Sequence, residues 1–168
     1  MQQQWHLKRY RLILVDRHEM VIVANPNQEK CVLILLPGLY WAKKVSLPVT
    51  KASQARFFAA SFFDGILPEG DYEYEAFGEN GVFVVVAFSR QEIREAIERH
   101  GIEPSHIEAI FFAQSELKGN LLPLDLGNNF ALVEYDGAVI QLPLSHIAGA
   151  KRWDLVCGDF YFSRRRFS

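Results

Sequence analysis

The stretch from Val82 to His100, VFVVVAFSRQEIREAIERH, is the strongest fold signal in the sequence. Its first seven residues are apolar without interruption, which is typical of a buried strand. Ser89 then stands at the position of a helix N-cap, and Glu92 three residues later completes a capping-box pattern. Gly101 supplies a C-terminal stop. Apolar residues with helical spacing lie between the two ends: Ile93, Ala96 and Ile97. The stretch therefore predicts a strand that leads directly into a helix.

A second strand is expected just before this stretch. Asp71 to Phe77 alternates between aromatic and acidic residues, and Gly78 to Gly81 reads as a turn, so the two strands form a hairpin. Glu73 and Glu75 fall on one side of the first strand. A solvated hairpin face explains them better than a pair of glycosidase carboxylates.

A first helix is predicted from Lys51 to Phe63, with Thr50 as its N-cap and Asp64 and Gly65 as its end. One apolar stripe runs along it: Ala55, Phe58, Ala59 and Phe62. Phe57 and Phe63 broaden that stripe. Large aromatic residues are usually buried. Phe57 and Phe63, together with Trp41, are nevertheless our candidates for contact with a partner protein.

The remaining patterns predict strands. Arg11 to Val15 and Met20 to Ala24 form a hairpin, Cys31 to Leu36 is a central buried strand, Trp41 to Leu47 is half-exposed, and His106 to Ala113 is again a strand. The helices and strands from residue 31 onward read ββαββαβ. We expect an α/β (α+β) domain whose core is one mixed sheet with two main helices on a face.

The predicted domain has three parts: an N-terminal hairpin at 1–30, the ββαββαβ core at 31–120, and a small C-terminal β region at 121–168. Four short strands are expected in the last part: Leu121 to Leu124, Phe130 to Tyr135, Ala138 to Leu142 and Leu155 to Phe162. A chain of 168 residues is long enough for one domain. The three parts are therefore expected to share one folded unit.

Composition excludes several classes of function. The net charge is −2, and the basic residues are scattered, so nucleic acid is not an expected partner. No apolar run reaches the ~18 residues of a membrane span. The two cysteines, Cys31 and Cys157, are too far apart in sequence for a redox or zinc motif, which favours a reducing compartment.

Catalytic and metal-ligating residues are not predicted. The five histidines show no HxxxH or HExxH spacing, and no GxSxG elbow is present. Ser105 and His106 are adjacent, so their side chains would point apart on a strand. We therefore expect no enzyme, no metal site and no cofactor.

The turn from Asp125 to Gly127 is the weak alternative to that expectation. An Asp-x-Gly turn can present backbone N–H groups to a phosphate, with the aspartate near a metal, so ATP and Mg²⁺ could bind here. A simple turn is the plainer interpretation. No GxxxxGK[ST] or GxGxxG motif accompanies it.

The order of segments resembles the cytoplasmic actin-like domain of the GspL and PilM families, which are inner-membrane assembly proteins of type II secretion and type IV pili. The resemblance covers about residues 31 to 148. Four segments carry it: Leu35 to Gly38, Lys44 to Pro48, Val82 to Phe88, and His100 to Ile102. Asp125 to Gly127 stands where the family's DxG turn would fall, and Gly149 where a later glycine would fall. The resemblance implies part of an actin-like (ribonuclease H-like) fold.

One departure bears on function. An actin-like ATPase opens with a DxG strand, whereas this chain has Val15, Asp16 and Arg17 without the glycine. The resemblance thus favours the degenerate secretion type, a non-catalytic platform that binds an assembly ATPase and other inner-membrane platform proteins or pairs with itself as a homodimer. An actin-like ATPase that uses Asp125 to Gly127 is the alternative.

The resemblance also implies a location. Arg164, Arg165 and Arg166 lie near the end of the sequence and would suit the cytoplasmic side of a membrane, where Lys and Arg gather. We expect the domain to lie in the cytoplasm at the inner membrane, held by a segment that is not present in this chain.

Overall fold

The architecture comes from a computed structural model that describes residues 2–3, 7–152 and 162–163. The strands are β1 (Gln2–Gln3), β2 (Arg11–Val15), β3 (Met20–Ala24), β4 (Cys31–Leu35), β5 (Trp41–Ser46), β6 (Glu73–Glu79), β7 (Val82–Phe88), β8 (Ile107–Phe112), β9 (Leu124–Asp125), β10 (Phe130–Tyr135), β11 (Ala138–Pro143), β12 (Lys151–Arg152) and β13 (Phe162–Ser163). The α-helices are α1 (Ala52–Ala55), α2 (Arg90–Arg99) and α3 (Ala113–Glu116). The 3-10 helices are Leu7–Arg9, Pro37–Leu39, Arg56–Phe63, Pro104–His106, Gly119–Leu121 and Leu144–His146. We call Arg56–Phe63 the aromatic helix.

The first sheet has the order β3-β2-β4-β8. β2 and β3 form the predicted antiparallel hairpin, while β4 runs parallel to both β2 and β8. Every residue of β4 is buried, as expected of a central strand. One face of this sheet packs against α2, and the other packs against residues of β9 to β11. The N-terminal hairpin therefore shares its sheet with strands of the predicted core.

The second sheet has the order β5-β7-β6 and is separate from the first. The ββαββαβ order of elements is present, but the prediction of a single mixed sheet is wrong. The reason lies in strand pairing. β7 pairs with β5 on one side and with β6 on the other, both antiparallel, so β5 does not join its sequence neighbour β4. The helices are divided in the same way, with α2 on the first sheet and the aromatic helix on the second.

The third sheet has the order β11-β10-β9-β12. Its β10–β11 hairpin confirms two of the four predicted C-terminal strands. The strand predicted at Leu121 to Leu124 is shorter and later, because Gly119–Leu121 is a 3-10 helix and β9 begins only at Leu124. Of the last predicted strand, Leu155 to Phe162, residues 155–161 lie outside the described residues.

Helix α2 matches its prediction closely. The Glu92 N–H donates to the Ser89 Oγ at 3.2 Å, which is the N-cap bond expected from the sequence. At the other end Gly101 has φ +69°, and two bonds close a Schellman motif. These are Gly101 N–H to the Glu98 carbonyl (3.0 Å) and Ile102 N–H to the Ile97 carbonyl (3.2 Å). The ends of α2 are therefore encoded locally.

The first predicted helix differs from its prediction. Only Ala52–Ala55 is α-helical, and the rest is the aromatic helix. The N-cap residue is Lys51 instead of Thr50. Lys51 forms a β-bridge with Glu79, and the Asn80 N–H donates to the Thr50 carbonyl at 2.9 Å, so this backbone is held extended. No helix among the described residues is long and apolar enough to cross a membrane.

Candidate functional site

The carboxyl ends of β2 and β4 lie side by side, at the edge where open α/β sheets usually bind ligands. Asp16 follows β2 and Gly38 follows β4. The Asp16 carboxylate accepts the Arg17 N–H at 2.8 Å and packs against Gly38, where a Cβ atom would overlap it. A side chain at position 38 would therefore force the Asp16 carboxylate to move from its place between the two turns.

The Arg17 side chain occupies this edge. Its Nε donates to the Gly38 carbonyl at 2.7 Å, and its Nη2 donates to the Glu92 carboxylate at 3.0 Å. The Arg17 carbonyl in turn accepts from Arg99, and the His100 Nε2 donates to the Asp16 carbonyl at 2.8 Å. Glu92 thus binds Arg17, and the reciprocal half of the predicted capping box is not formed. The β2–β3 turn is tied to both ends of α2.

The turn from Asp125 to Gly127 is closed by its own hydrogen bonds. The Gly127 N–H donates to the Asp125 Oδ1 at 2.8 Å, and the Leu126 N–H donates to the Phe130 carbonyl at 3.0 Å. Gly127 has φ +81°, a conformation that favours glycine. Because both N–H groups are already engaged, the geometry favours a structural turn over a phosphate cradle.

The titratable residues singled out from the sequence are dispersed. Within the described ranges no group of three or more His, Cys, Asp or Glu side chains could hold a metal ion. His106 lies 3.0 Å from Glu29, and it belongs with Ser105 to a 3-10 helix instead of the predicted strand. Cys31 is buried in β4, and burial raises the pKa of its thiol. Cys157 lies outside the described residues.

An acidic depression of about 470 Å³ lies at the N-terminus of α2. Five carboxylates line it: Glu69, Asp71, Glu73, Glu92 and Glu95. Arg90 also lines it and donates to both carboxylate oxygens of Glu73, at 2.6 and 2.9 Å. These hydrogen bonds lower the pKa of Glu73.

Glu73 and Glu75 do not form the simple solvated face that the alternation predicts. Both are partly buried and ion-paired, Glu73 with Arg90 and Glu75 with Arg56 at 3.7 Å. The reason is that Arg56 of the aromatic helix and Arg90 at the start of α2 both reach β6. Their role in the structure is therefore to hold neighbouring helices.

The aromatic helix carries Phe57, the most exposed large hydrophobic side chain in the described part of the chain. Phe57 is 87% exposed and Phe58 is 49% exposed, and Ile66 is also exposed shortly after the helix. We call these three residues the Phe57 surface. Neighbouring exposed apolar side chains of this size are candidates for contact with another protein, because burying them removes apolar surface from water.

The sequence candidates for partner contact separate in the structure. Phe57 is the most exposed, and Trp41, at the start of β5, is also exposed. Phe63 is only 4% exposed and stacks on Tyr74 with ring centroids 6.2 Å apart, so its assignment to a partner-binding surface is wrong. Phe58 was expected on the buried stripe and lies outside it.

Small residues explain why Phe57 and Phe58 point outward. Ala55 and Ala59 are fully buried and let the helix lie close to the second sheet. The Arg56 Nε donates to the Tyr74 carbonyl at 2.8 Å and fixes the start of the aromatic helix on β6. The helix is therefore held by Ala59, Phe63 and Arg56, and its other side is free to contact solvent. The sequence carries no local signal that separates Phe57 from Phe63.

The three C-terminal arginines, Arg164, Arg165 and Arg166, lie outside the described residues.

Neither a scan against protein-family models nor a search of curated proteins finds a match. Among solved structures, the fold is similar to the cytoplasmic domain of EpsL, an inner membrane component of the type II secretion system of Vibrio cholerae. The TM-score is 0.54 at 9% sequence identity, over 82% of this chain and 72% of that chain. The similarity expected from the order of segments is thus confirmed for the fold, and at this identity it shows the fold alone.

Proposed function

We propose that this chain is a non-catalytic platform domain of a type II secretion or type IV pilus-like assembly machine, and that it binds the cytoplasmic assembly ATPase. The single observation that carries the proposal is the fold it shares with the EpsL cytoplasmic domain, an inner-membrane secretion component. A platform positions other proteins, so it requires a stable scaffold and an accessible surface.

The Arg17 side chain occupies the sheet edge at the carboxyl ends of β2 and β4, and this supports a non-catalytic role. Arg17 occupies the turn where an actin-like ATPase would have a glycine, and it hydrogen-bonds to Gly38 and Glu92. The turn at Asp125 to Gly127 engages its N–H groups internally. Both features favour the platform over the alternative, an actin-like protein that binds ATP and Mg²⁺.

The Phe57 surface is the proposed contact for the ATPase. Exposed aromatic side chains are enriched among residues that dominate protein–protein binding, since they bury a large area at little cost in side-chain entropy. Phe57 projects from a helix whose opposite side is packed on the second sheet. Binding there would leave the packing of the first sheet unchanged.

The proposal includes a location and further partners. The domain would lie on the cytoplasmic side of the inner membrane, next to other platform proteins of the same machine. Arg164, Arg165 and Arg166 would then lie near anionic lipid headgroups, which attract basic segments.

The experiment is a co-purification of this chain with the assembly ATPase encoded in the same genome. We expect the two proteins to elute together from a size-exclusion column and to separate when Phe57→Ser replaces the wild type. Tyr135→Ser is the matched control, because Tyr135 is also a highly exposed aromatic residue and lies on a different sheet. Separate elution of the two wild-type proteins would refute the proposal.

A further inference from the structure

The outer edge of β3 is apolar and accessible. β3 is the end strand of the first sheet, and no described strand pairs with its outer edge. All five of its residues are apolar, and two of them, Met20 and Ile22, are 38% and 39% exposed. Edge strands are normally protected by charges, prolines or covering segments, because an open edge is a template for another strand. β3 contains no charge and no proline. Its one register shift against β2 falls beyond Ile22, between the Ile13–Ile22 and Leu12–Ala24 pairs, so Met20 to Ile22 pair regularly.

Hydrogen bonds on both sides of β2 fix the direction of its backbone groups. The Val15 carbonyl accepts the Leu36 N–H at 2.9 Å, so the backbone N–H and C=O groups of Val15 point toward β4. Asp16, the next residue, points the other way, because its N–H donates to the Glu19 carbonyl at 2.8 Å. Ile13 and Val15 therefore both direct their backbone groups away from β3.

The register of the β2–β3 hairpin then determines which backbone groups of β3 point outward. Val15 lies opposite Met20, and Ile13 lies opposite Ile22. In an antiparallel pair, residues that do not bond to each other direct their N–H and C=O groups to the outside. Met20 and Ile22 therefore present backbone donors and acceptors at the outer edge, next to their exposed side chains.

We propose that a second copy of this chain pairs with β3 along this edge, antiparallel, around a two-fold axis at Val21. In this register Met20 lies opposite Ile22 of the second copy, and each outward N–H meets an outward C=O. A strand rotated about Val21 presents the same groups in the same positions, so β3 is complementary to itself. The first sheet becomes continuous across the two copies.

The chemistry of the edge favours a second copy over an unrelated peptide. Met20 and Ile22 lie on the same face of β3, so each would cover the other's exposed side chain across the axis. The net charge of the chain is only −2, which opposes self-association weakly. A contact made by one short strand from each copy is at the small end of protein interfaces, so the dimer is weak and forms as concentration rises.

Pairing along β3 is independent of ATPase binding. β3 belongs to the first sheet and the Phe57 surface to the helix on the second sheet. Loss of dimerisation would therefore leave co-purification with the ATPase unchanged, and loss of the ATPase contact would leave dimerisation unchanged.

The test is sedimentation equilibrium over a concentration series with paired substitutions. Met20→Lys with Ile22→Lys places like charges opposite each other, and we expect the dimer Kd to rise at least about tenfold, equivalent to about 1.4 kcal/mol. Met20→Lys with Ile22→Glu places opposite charges together and restores dimerisation. Val82→Lys, at an exposed apolar residue of β7, is the control and leaves the Kd unchanged.

Circular dichroism checks that each variant is folded, which is expected because both side chains are exposed. Three results would overturn the inference: a wild-type monomer at every concentration, an unchanged Kd in the double-lysine variant, or no recovery in the lysine–glutamate variant. The last result would place any dimer contact at a different register or surface.

Discussion

The two longest helices in the described part of the chain are built in different ways. Helix α2 is a regular α-helix with a serine N-cap and a Schellman motif, and it buries Ile93, Ala96 and Ile97 against the first sheet. The aromatic helix is a 3-10 helix that buries Ala59 and Phe63 and leaves Phe57 in solvent. Runs of 3-10 helix longer than a turn are uncommon, since their hydrogen-bond geometry is poorer.

This difference indicates a division of roles. α2 holds the scaffold together, because its two ends also bind the β2–β3 turn through Glu92 and Arg99. The aromatic helix is held at one side only and presents large apolar side chains on the other. A platform needs both functions, and here they reside on different sheets.

The largest expected effect is a difference in the free energy of unfolding between alanine variants of two phenylalanines in the aromatic helix. Phe63→Ala should lower the free energy of unfolding by about 3–5 kcal/mol, because it leaves a cavity beside Tyr74. Phe57→Ala should change it by less than about 0.5 kcal/mol, because the side chain is exposed. Urea denaturation measures both. Similar losses in the two variants would show that Phe57 is part of the core.

The residues before the two helices give the next largest expected effect. Ser89→Ala removes the oxygen that accepts the Glu92 N–H, so it should lower the free energy of unfolding by about 1 kcal/mol. Thr50→Ala is the matched change before α1 and should cost less than about 0.5 kcal/mol, since Thr50 is not the N-cap. Thermal melts of the two variants decide this, and a greater loss for Thr50→Ala would contradict it.

The Arg90–Glu73 ion pair should contribute less to stability than the Ser89 cap, because both side chains are more than a third exposed to solvent. Glu73→Gln should cost about 0.2–1 kcal/mol near neutral pH. The pKa of Glu73 is lowered in the folded state, so its contribution is complete above the ordinary pKa and disappears as the pH falls through the lowered value.

Urea denaturation of wild type and Glu73→Gln at a series of pH values tests this sign. The two proteins should differ near neutral pH and converge in acid. Glu69→Gln, in the same depression, is the control. A difference that grows in acid would mean that Glu73 is not stabilised as a carboxylate.

The smallest expected effect is that of nucleotide. A ligand present at 100 times its Kd stabilises a protein by about 2.7 kcal/mol, which raises the melting temperature measurably. We expect no shift with Mg-ATP, because Arg17 and the Asp125 turn engage the groups that would contact phosphate. A concentration-dependent rise in melting temperature would favour the nucleotide-binding alternative.

Local signals in the sequence were sufficient for α2 and for the hairpins. Ser89, Gly101 and the alternating or continuous apolar runs act through neighbours close in sequence, and the bounds of β2, β3, β7 and α2 follow from them. The turn of the β6–β7 hairpin is narrower than expected, at Asn80 and Gly81, because β6 extends to Glu79.

Properties that depend on distant residues were not available from the sequence. Periodicity identifies β5 as a strand but does not show that it pairs with β7 instead of β4. The prediction therefore placed the strands of two sheets in one. The burial of Phe63 depends on Tyr74, and the start of α1 depends on the bridge from Lys51 to Glu79. The Arg17 contacts with Gly38 and Glu92 likewise join segments that are far apart in the chain.

The most direct test of the platform account is a calorimetric titration of the assembly ATPase into this chain and two variants. The account predicts measurable binding to the wild type, at least about tenfold weaker binding to Phe57→Ala, equivalent to about 1.4 kcal/mol, and unchanged binding to Tyr135→Ala. Equal affinities for wild type and Phe57→Ala would contradict the Phe57 surface as the contact. No heat of binding with the folded wild type would contradict the platform function itself.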